Sequence, residues 1–324
     1  MLYLLIFSAL IFDFINGIHD SSNIVATVIS SRALRPRVAL YLTALAHFIA
    51  PFLFGVAVAE TIGNDLIDPT AVTDVVITAA VLSAITWNII TWYLGIPSSS
   101  SHALVGGLLG AAILSVGPEV IYLDGLFRIL LALFISPPLG LAASFLLMHL
   151  IQLIFKSASP KINTYFKRAQ IFTSLSLALS HGTNDAQKTM GLITMGLVSA
   201  GIQETFEVPL WVIFMSAGGI ALGTAVGGWR LIRTLGGKIY KIRPVHAFVS
   251  QTASSIVIFG ASIFGGPVST TQVVSSAIMG AGAAERISKV RWLVAQYMIV
   301  TWVLTIPLTA ILSMGIYIIL IQLY

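Results

Sequence analysis

This sequence predicts an all-α polytopic membrane protein made of two inverted-topology repeats of about five spans each, with interrupted helices at the midplane. Three observations predict it. Of 324 residues, 57% are apolar and 9% charged, and mean hydropathy is +0.97. A soluble domain carries roughly 25% charged residues. Apolar runs of spanning length recur from end to end, and no hydrophilic stretch is long enough for a soluble domain. Two short polar clusters, Gly17-Ile18-His19-Asp20 and Gly182-Thr183-Asn184-Asp185, interrupt apolar segments at matching places in the two halves. The alternating ten-residue segments of a membrane barrel are absent.

Ten hydrophobic segments can be drawn: 2–30, 38–59, 75–95, 97–116, 128–155, 169–200, 209–229, 247–264, 267–284 and 292–322. The first and sixth exceed one straight span, and each holds a polar cluster at its middle. The fourth and ninth are short and open on Pro97 and Pro267. The N-terminus has no basic region and no small-residue cleavage site, so it reads as a retained span rather than a signal peptide.

Loop charges orient the chain. Arg32, Arg35 and Arg37 fill one loop, Lys156, Lys161, Lys167 and Arg168 another, and Arg230, Arg233, Lys238, Lys241 and Arg243 a third. A fourth sets Arg286, Lys289 and Arg291 against Glu285. The intervening loops are acidic: Glu60, Asp65, Asp68 and Asp74; Glu119 and Asp124; Glu204 and Glu207. Basic loops stay cytoplasmic, and ten crossings with both termini outside satisfy every loop. The net charge of +5 is thus a topology signal, and nucleic acid is not an expected partner. Cysteine is absent, which excludes disulfides and thiolate sites.

Five crossings per half is odd, so two similar halves sit upside down relative to each other. Gly17 and Asp20 match Gly182 and Asp185 at an offset of 165 residues. Gly55, Thr61 and Gly63 match Gly228, Thr234 and Gly236 at 173. Pro97, Ser99 and Gly110 match Pro267, Ser269 and Gly280 at 170, as Pro137 matches Pro307. The expected organisation is an N-terminal repeat at 1–155, a basic cytoplasmic linker at 156–168 and an inverted repeat at 169–324. Inverted repeats with interrupted helices in corresponding positions mark secondary transporters.

An ionisable group at mid-span is costly and points to function. In each G-x-[HN]-D cluster, a break at the glycine would start a half-helix whose N-terminus suits an anion, while the carboxylate and freed carbonyls suit a hard cation. The bland alternative is an aspartate that caps a helix end. Capping accounts for one such residue but not for the pairing, nor for the neighbouring His19, Asn23, His181, Asn184 and Lys188. Ser98-Ser99-Ser100-Ser101-His102 after Pro97 corresponds to Val268-Ser269-Thr270-Thr271-Gln272 after Pro267. Proline suits a first helical turn, and the hydroxyls behind it can hold a tetrahedral anion without a buried arginine. Capping and interhelical hydrogen bonding are the competing role for these hydroxyls.

Lys188 aligns with Asn23, and either pairs with Asp185 or approaches the anion. Asp13, two turns before Asp20, is a second cation or proton site, or the partner of a histidine. His19, His102 and His181 are candidate proton carriers; their spacing fits no zinc pattern. His47 and His149 read as satisfied interior histidines, Glu60 as a rim residue or a solvated loop acid, and the glycine pairs as close helix packing.

The stretch 14–34, FINGIHDSSNIVATVISSRAL, resembles the first signature of the inorganic phosphate transporter (Pit) family, and SHGTNDAQKTMG at 180–191 resembles the second. GIPSSSSHALVG at 95–106 and GGPVSTTQVV at 265–274 resemble its paired P-x-S-[ST]-[ST]-[HQ] elements. The resemblance covers essentially the whole chain. It implies cation-coupled phosphate uptake by alternating access, in the bilayer of a prokaryotic plasma (inner) membrane, by a homodimer that is not an enzyme and needs no cofactor beyond the coupling cation, Na+ or H+. Asp20 and Asp185 would hold that cation, as a metal site if it is sodium, with His19, Asn23 and Asn184 as neighbours. Ser99, Ser100, Ser101, Ser269, Thr270 and Thr271 would line the phosphate site, with Asn184, Gln272 and His102 beside it. His19 stands where the second half has Asn184, and His102 where it has Gln272, which leaves the coupling cation open. Sulfate, an intramembrane acid–base enzyme and a passive channel are the rival readings.

Overall fold

The computed structural model describes residues 1–68 and 71–323, which form twelve α-helices in two runs of six. The first run is α1 (Leu2–Ser30), α2 (Pro36–Phe54), α3 (Ala57–Gly63), α4 (Asp74–Leu94), α5 (Ser100–Ser115) and α6 (Leu123–Ile154). The second is α7 (Ile162–Ser199), α8 (Leu210–Val226), α9 (Trp229–Arg233), α10 (Pro244–Ile263), α11 (Thr270–Arg286) and α12 (Trp292–Leu323). Among the described residues the only β pairing is an isolated bridge, Ile67 with Ile121.

Among the described residues six helices, α1, α2, α4, α6, α10 and α12, are long and apolar enough to cross a membrane. A seventh span forms if α8 and the short helix after it, bent by 59°, count as one. The 38-residue α7 is long enough, but its central polar residues lower its hydropathy. Two sequence-derived segments need correction. Those at 97–116 and 267–284 contain helices of only 16 and 17 residues, α5 and α11. At 1.5 Å per residue these fall short of a ~30 Å hydrocarbon core.

The expected breaks at Gly17 and Gly182 are absent, since α1 and α7 run through both polar clusters without interruption. The glycines serve close approach instead. A Cβ on Gly17 would lie 2.2 Å from the Ile220 carbonyl oxygen on α8, and one on Gly182 2.9 Å from His47 Cα on α2. The chain breaks elsewhere: α2 ends at Gly55 and α8 at Gly227, both at φ 79°, a region that favours glycine. The matching corner residues are therefore Gly55 and Gly227, not Gly55 and Gly228.

Contacts repeat between the two runs. α1 packs on α8 as α7 packs on α2, and α5 on α12 as α11 on α6. α4 touches α5 and α1 as α10 touches α11 and α7, and α3 meets α7 as α9 meets α1. Between helices in lipid there is no hydrophobic drive, so close van der Waals packing at small residues carries association. Gly110 and Gly280 supply it: a Cβ on either would stand 2.2 Å from a backbone oxygen, of Ala310 and Leu141 respectively.

The α4–α5 hairpin has its base among acidic loops, where Tyr122 N donates to Leu66 O at 3.1 Å. At its tip, Thr234 Oγ1 donates to Gly95 O at 3.1 Å, and Arg230 donates to Tyr93 O at 2.5 Å. The α10–α11 hairpin has its base among basic loops. There Glu285 accepts from Tyr240 at 2.6 Å and pairs with Arg243 at 2.5 Å and His246 at 2.7 Å. Its tip, Gly265, borders a cleft of about 420 Å³ lined by Glu60, Thr61 and Asp65.

The buried apolar residues fall into two main clusters. One joins the N-terminal half of α1 (Leu5, Ala9, Phe12) to the C-terminal half of α7 (Ala186 to Leu197). The other joins the C-terminal half of α1 (Ile24 to Val28) to Leu177 and Ala178 of α7. The polar stretches of α1 and α7 lie between the two clusters.

Gly110→Leu must force α5 off α12 by backbone displacement, so a thermal melt of detergent-purified protein should show it destabilised by about 1–3 kcal/mol or more. At the basic end, burial opposes ionisation of Glu285, but Tyr240, Arg243 and His246 outweigh it and hold the carboxyl at about 2, below its ordinary 4.5. The folded value is the lower one, so this stabilisation is complete above about pH 4.5 and is lost as pH falls toward about 2. Melting temperatures across that window should fall less steeply in Glu285→Gln than in wild type.

Candidate functional site

Three carboxylates and one ammonium are fully buried among the described residues: Asp13, Asp20, Asp185 and Lys188, each 0% exposed. All four come from α1 and α7. Three negative charges against one positive leave a formal deficit of two. Burial costs several kcal/mol per ion even after relaxation, so this cluster needs partners, and the hairpin tips supply several of them.

Thr271 Oγ1 donates to Asp20 Oδ1 at 2.9 Å, and Thr270 Oγ1 donates to Asp185 Oδ2 at 2.9 Å. The first turn of α11 thus reaches one aspartate from each half. Ser100 Oγ, at the start of α5, reaches Asp20 Oδ2 at a longer 3.5 Å. Asn23 Nδ2 donates both to Asp20 Oδ1 at 3.0 Å and to Thr271 Oγ1 at 2.9 Å, and His19 Nδ1 stands 3.0 Å from Asp20 Oδ1. Across the site, Lys188 Nζ donates to Asp185 Oδ1, and His181 Nε2 lies 2.9 Å from Asp185 Oδ2. One ligand atom each from Asp20, His181 and Asp185 fall within 4.8 Å of one another. The two sequence-matched aspartates therefore meet at one place.

The hydroxyl runs divide their labour. Ser99 and Ser269 are N-caps, accepting from the backbone N–H of His102 and Gln272; the capping role holds for these two. Ser101 Oγ donates to Val268 O at 2.9 Å, which ties the tip of one hairpin to the other. His102 Nδ1 lies 2.6 Å from Ser99 Oγ and 3.4 Å from Gln272 Nε2, so those two matched residues also meet. Ser100, Thr270 and Thr271 are the hydroxyls aimed at the carboxylates. The first-turn amides of α5 and α11 have no intrahelical acceptor, and both helix ends face this cluster with a positive dipole end. Every residue in it is at most 2% exposed.

Asn184 stands apart from the carboxylate pair. Its Nδ2 donates to Ser262 Oγ at 2.9 Å and Gly266 O at 3.1 Å, while its Oδ1 accepts from Val268 N at 3.3 Å. It pins the loop that leads into α11, so its contacts are those of a positioning residue.

Several participants carry no clear signal in the sequence. His47 is not simply an interior histidine: it stacks on His181 with ring centroids 4.8 Å apart, and its Nδ1 lies 2.9 Å from Thr224 Oγ1. His149 is exposed and lies 3.1 Å from Phe145 O. Asp13 accepts from Thr189 Oγ1 at 2.6 Å rather than pairing with a histidine. Gln187 holds the α2–α3 corner, accepting from Val58 N at 2.8 Å and Ala59 N at 3.3 Å and donating to Gly55 O at 2.5 Å. At the α8–α9 corner Ser21 Oγ accepts from Gly228 N at 2.9 Å. For His181 and Lys188, helical spacing is the available signal: they lie at i−4 and i+3 from Asp185, on its face.

Gln187→Leu leaves the buried Val58 N without an acceptor, at a cost of about 1–3 kcal/mol, while Ala59 N keeps the Val56 carbonyl at 2.9 Å. Hydrogen exchange should show faster exchange at Val58 than at Ala59, and the melting temperature should drop.

The model of the phosphate transporter family matches residues 16–313. A Bacillus subtilis protein named "Probable low-affinity inorganic phosphate transporter" is 45% identical over 314 residues, covering 96% of this chain and 94% of its own. A Rhizobium meliloti protein of the same name is 45% identical over 311 residues, with 95% and 93% covered. A solved structure described as "The sodium-dependent phosphate transporter" superposes with a TM-score of 0.93 at 24% identity, covering 100% of this chain and 99% of its own, which establishes the shared fold. These relatives are transporters rather than enzymes. This multi-pass membrane protein belongs to the phosphate transporter family.

Proposed function

We propose that the protein imports inorganic phosphate by cation symport, through alternating access between two inverted repeats. One observation carries the reading: the hydroxyls we assign to the anion donate to the two carboxylates we assign to the cation. The two sites share atoms, so their occupancies are coupled. A phosphate entering beside ionised Asp20 and Asp185 meets like charge. At ~4 Å and an effective dielectric of 20, one such pair costs about 4 kcal/mol, roughly a thousandfold in affinity. A cation on the carboxylates removes that cost. It also competes for the lone pairs on which Thr270, Thr271 and Ser100 now donate, and so turns those hydroxyls toward the anion.

The repeated contacts and the opposed hairpins support the inversion. The first hairpin has an acidic base and a tip against the basic-end residues Arg230 and Thr234. The second has a basic base and a tip beside Glu60 and Asp65. In such an arrangement the loaded site favours whichever state binds both ligands better, and the repeats rock accordingly.

Proteoliposome uptake of radiolabelled phosphate under an imposed sodium gradient, then under a proton gradient, tests the reading and names the cation. Arsenate should compete better than sulfate; the reverse order overturns the phosphate assignment. Asp20→Asn and Asp185→Asn should each abolish gradient-driven uptake while the protein still folds, and normal uptake in both sinks the shared-site model. Thr270→Ala should weaken phosphate binding about tenfold, the equivalent of about 1.4 kcal/mol for a lost hydrogen bond; an unchanged affinity would argue against hydroxyl ligation.

A further inference from the structure

The two halves of the site obey the same spacing but not the same charge. On α1, Asn16, Asp20 and Asn23 stand at i−4, i and i+3; on α7 the residues at the offset of 165 are His181, Asp185 and Lys188. Each triplet is fully or almost fully buried, with no member more than 1% exposed. In the first half, Asn23 Nδ2 donates to Asp20 Oδ1. In the second, Lys188 Nζ takes the equivalent place on Asp185 Oδ1. The threonines of α11 complete both halves in the same way.

The oxygen supply differs as well. Both amide atoms of Asn16 and the Oδ1 of Asn23 are buried with no hydrogen-bond partner among the described residues. A buried side-chain amide with nothing to bind is costly and calls for an explanation. Beside a carboxylate, two such amide oxygens are the ligand type of a hard cation. The second half has no counterpart, because His181 and Lys188 bring nitrogen where the first half has amide oxygen. Lysine has three donors and no acceptor. It is a compact point charge on a flexible stem.

We propose that Lys188 is a tethered cation, its ammonium supplying beside Asp185 the positive charge that an exchangeable coupling cation supplies beside Asp20. This deepens the symport reading and rests on it. Lys188 neutralises Asp185 in every state of the cycle, so it helps the site accept an anion. It never leaves the protein, so it draws nothing from the ion gradient. The carrier then moves one cation fewer per phosphate than a site with two neutral triplets would.

The number of cations moved per phosphate can be read directly. With membrane potential clamped at zero, it is the slope of log phosphate accumulation at steady state against log of the imposed cation gradient. Purified wild type and Lys188→Asn are compared in proteoliposomes with radiolabelled phosphate, using whichever gradient, sodium or proton, drives wild-type uptake. The variant should raise the slope by one, so that a tenfold gradient gives tenfold more accumulation than in wild type. Its half-saturating cation concentration should rise. Lys188→Arg, which keeps the charge, should give the wild-type slope. An unchanged slope in folded Lys188→Asn overturns the proposal, as does folded protein that accumulates no phosphate even at saturating cation. If Lys188→Asn does not fold, the reciprocal Asn23→Lys decides: it should lower the slope by one, and an unchanged slope overturns the proposal. Wild-type vesicles that show no gradient-driven accumulation overturn the symport reading itself, a result distinct from wild-type accumulation with unaltered variant slopes.

Discussion

Buried negative charge is the constraint on which the rest of this molecule depends. Asp13, Asp20 and Asp185 sit without solvent between two apolar clusters, and a single ammonium offsets them. In a membrane interior such an arrangement persists only if other groups satisfy it. Thr189 of α7 serves Asp13, and for Asp20 and Asp185 the donors include hydroxyls in the first turns of two short helices, α5 and α11. The lengths of α5 and α11, their N-capping serines and the prolines just before them follow from the same need. Each delivers a helix end and a hydroxyl run to the carboxylates.

Reaching that point from two hairpins requires the flanking helices to approach closely. The glycines answer this requirement. Gly17 lets α8 lie against α1 beside Asp20, Gly182 lets α2 lie against α7 beside Asp185, and Gly110 and Gly280 seat α5 and α11 on α12 and α6. Gln187 and Ser21 then commit their polar atoms to the two broken corners, so the backbone amides freed there are paired. Local geometry, packing and the polar site are thus one connected problem. Asn184 illustrates it: a residue beside the carboxylate in sequence faces away from it and fixes the loop that aims Thr270 and Thr271.

Much of the fold is legible in the order of residues alone. Apolar segment boundaries lie within a few residues of the helices in most cases, because desolvation in lipid leaves the backbone few alternatives to a helix. The pairing of Asp20 with Asp185, and of each with a hydroxyl run, is legible from repeated spacing. The breaks are not. A glycine beside a polar residue reads as a helix break, yet an unbroken helix with an approaching neighbour has the same local sequence. Only the presence of Ile220 O and His47 Cα tells the two apart. Likewise, no spacing rule brings His47 onto His181 or Thr189 onto Asp13, since those contacts join residues more than a hundred positions apart.

By itself the sequence determined that the chain is helical and membrane-embedded, and which two carboxylates and hydroxyl runs form matched sets. Hydropathy and repeated spacing are properties written along the chain, so they need no third dimension. Tertiary structure decided which hydroxyls cap and which reach the carboxylates, that α1 and α7 continue where a break was expected, and that Lys188 pairs with Asp185. Those outcomes depend on what approaches from another helix, and distance across the bundle is set by packing rather than by sequence spacing.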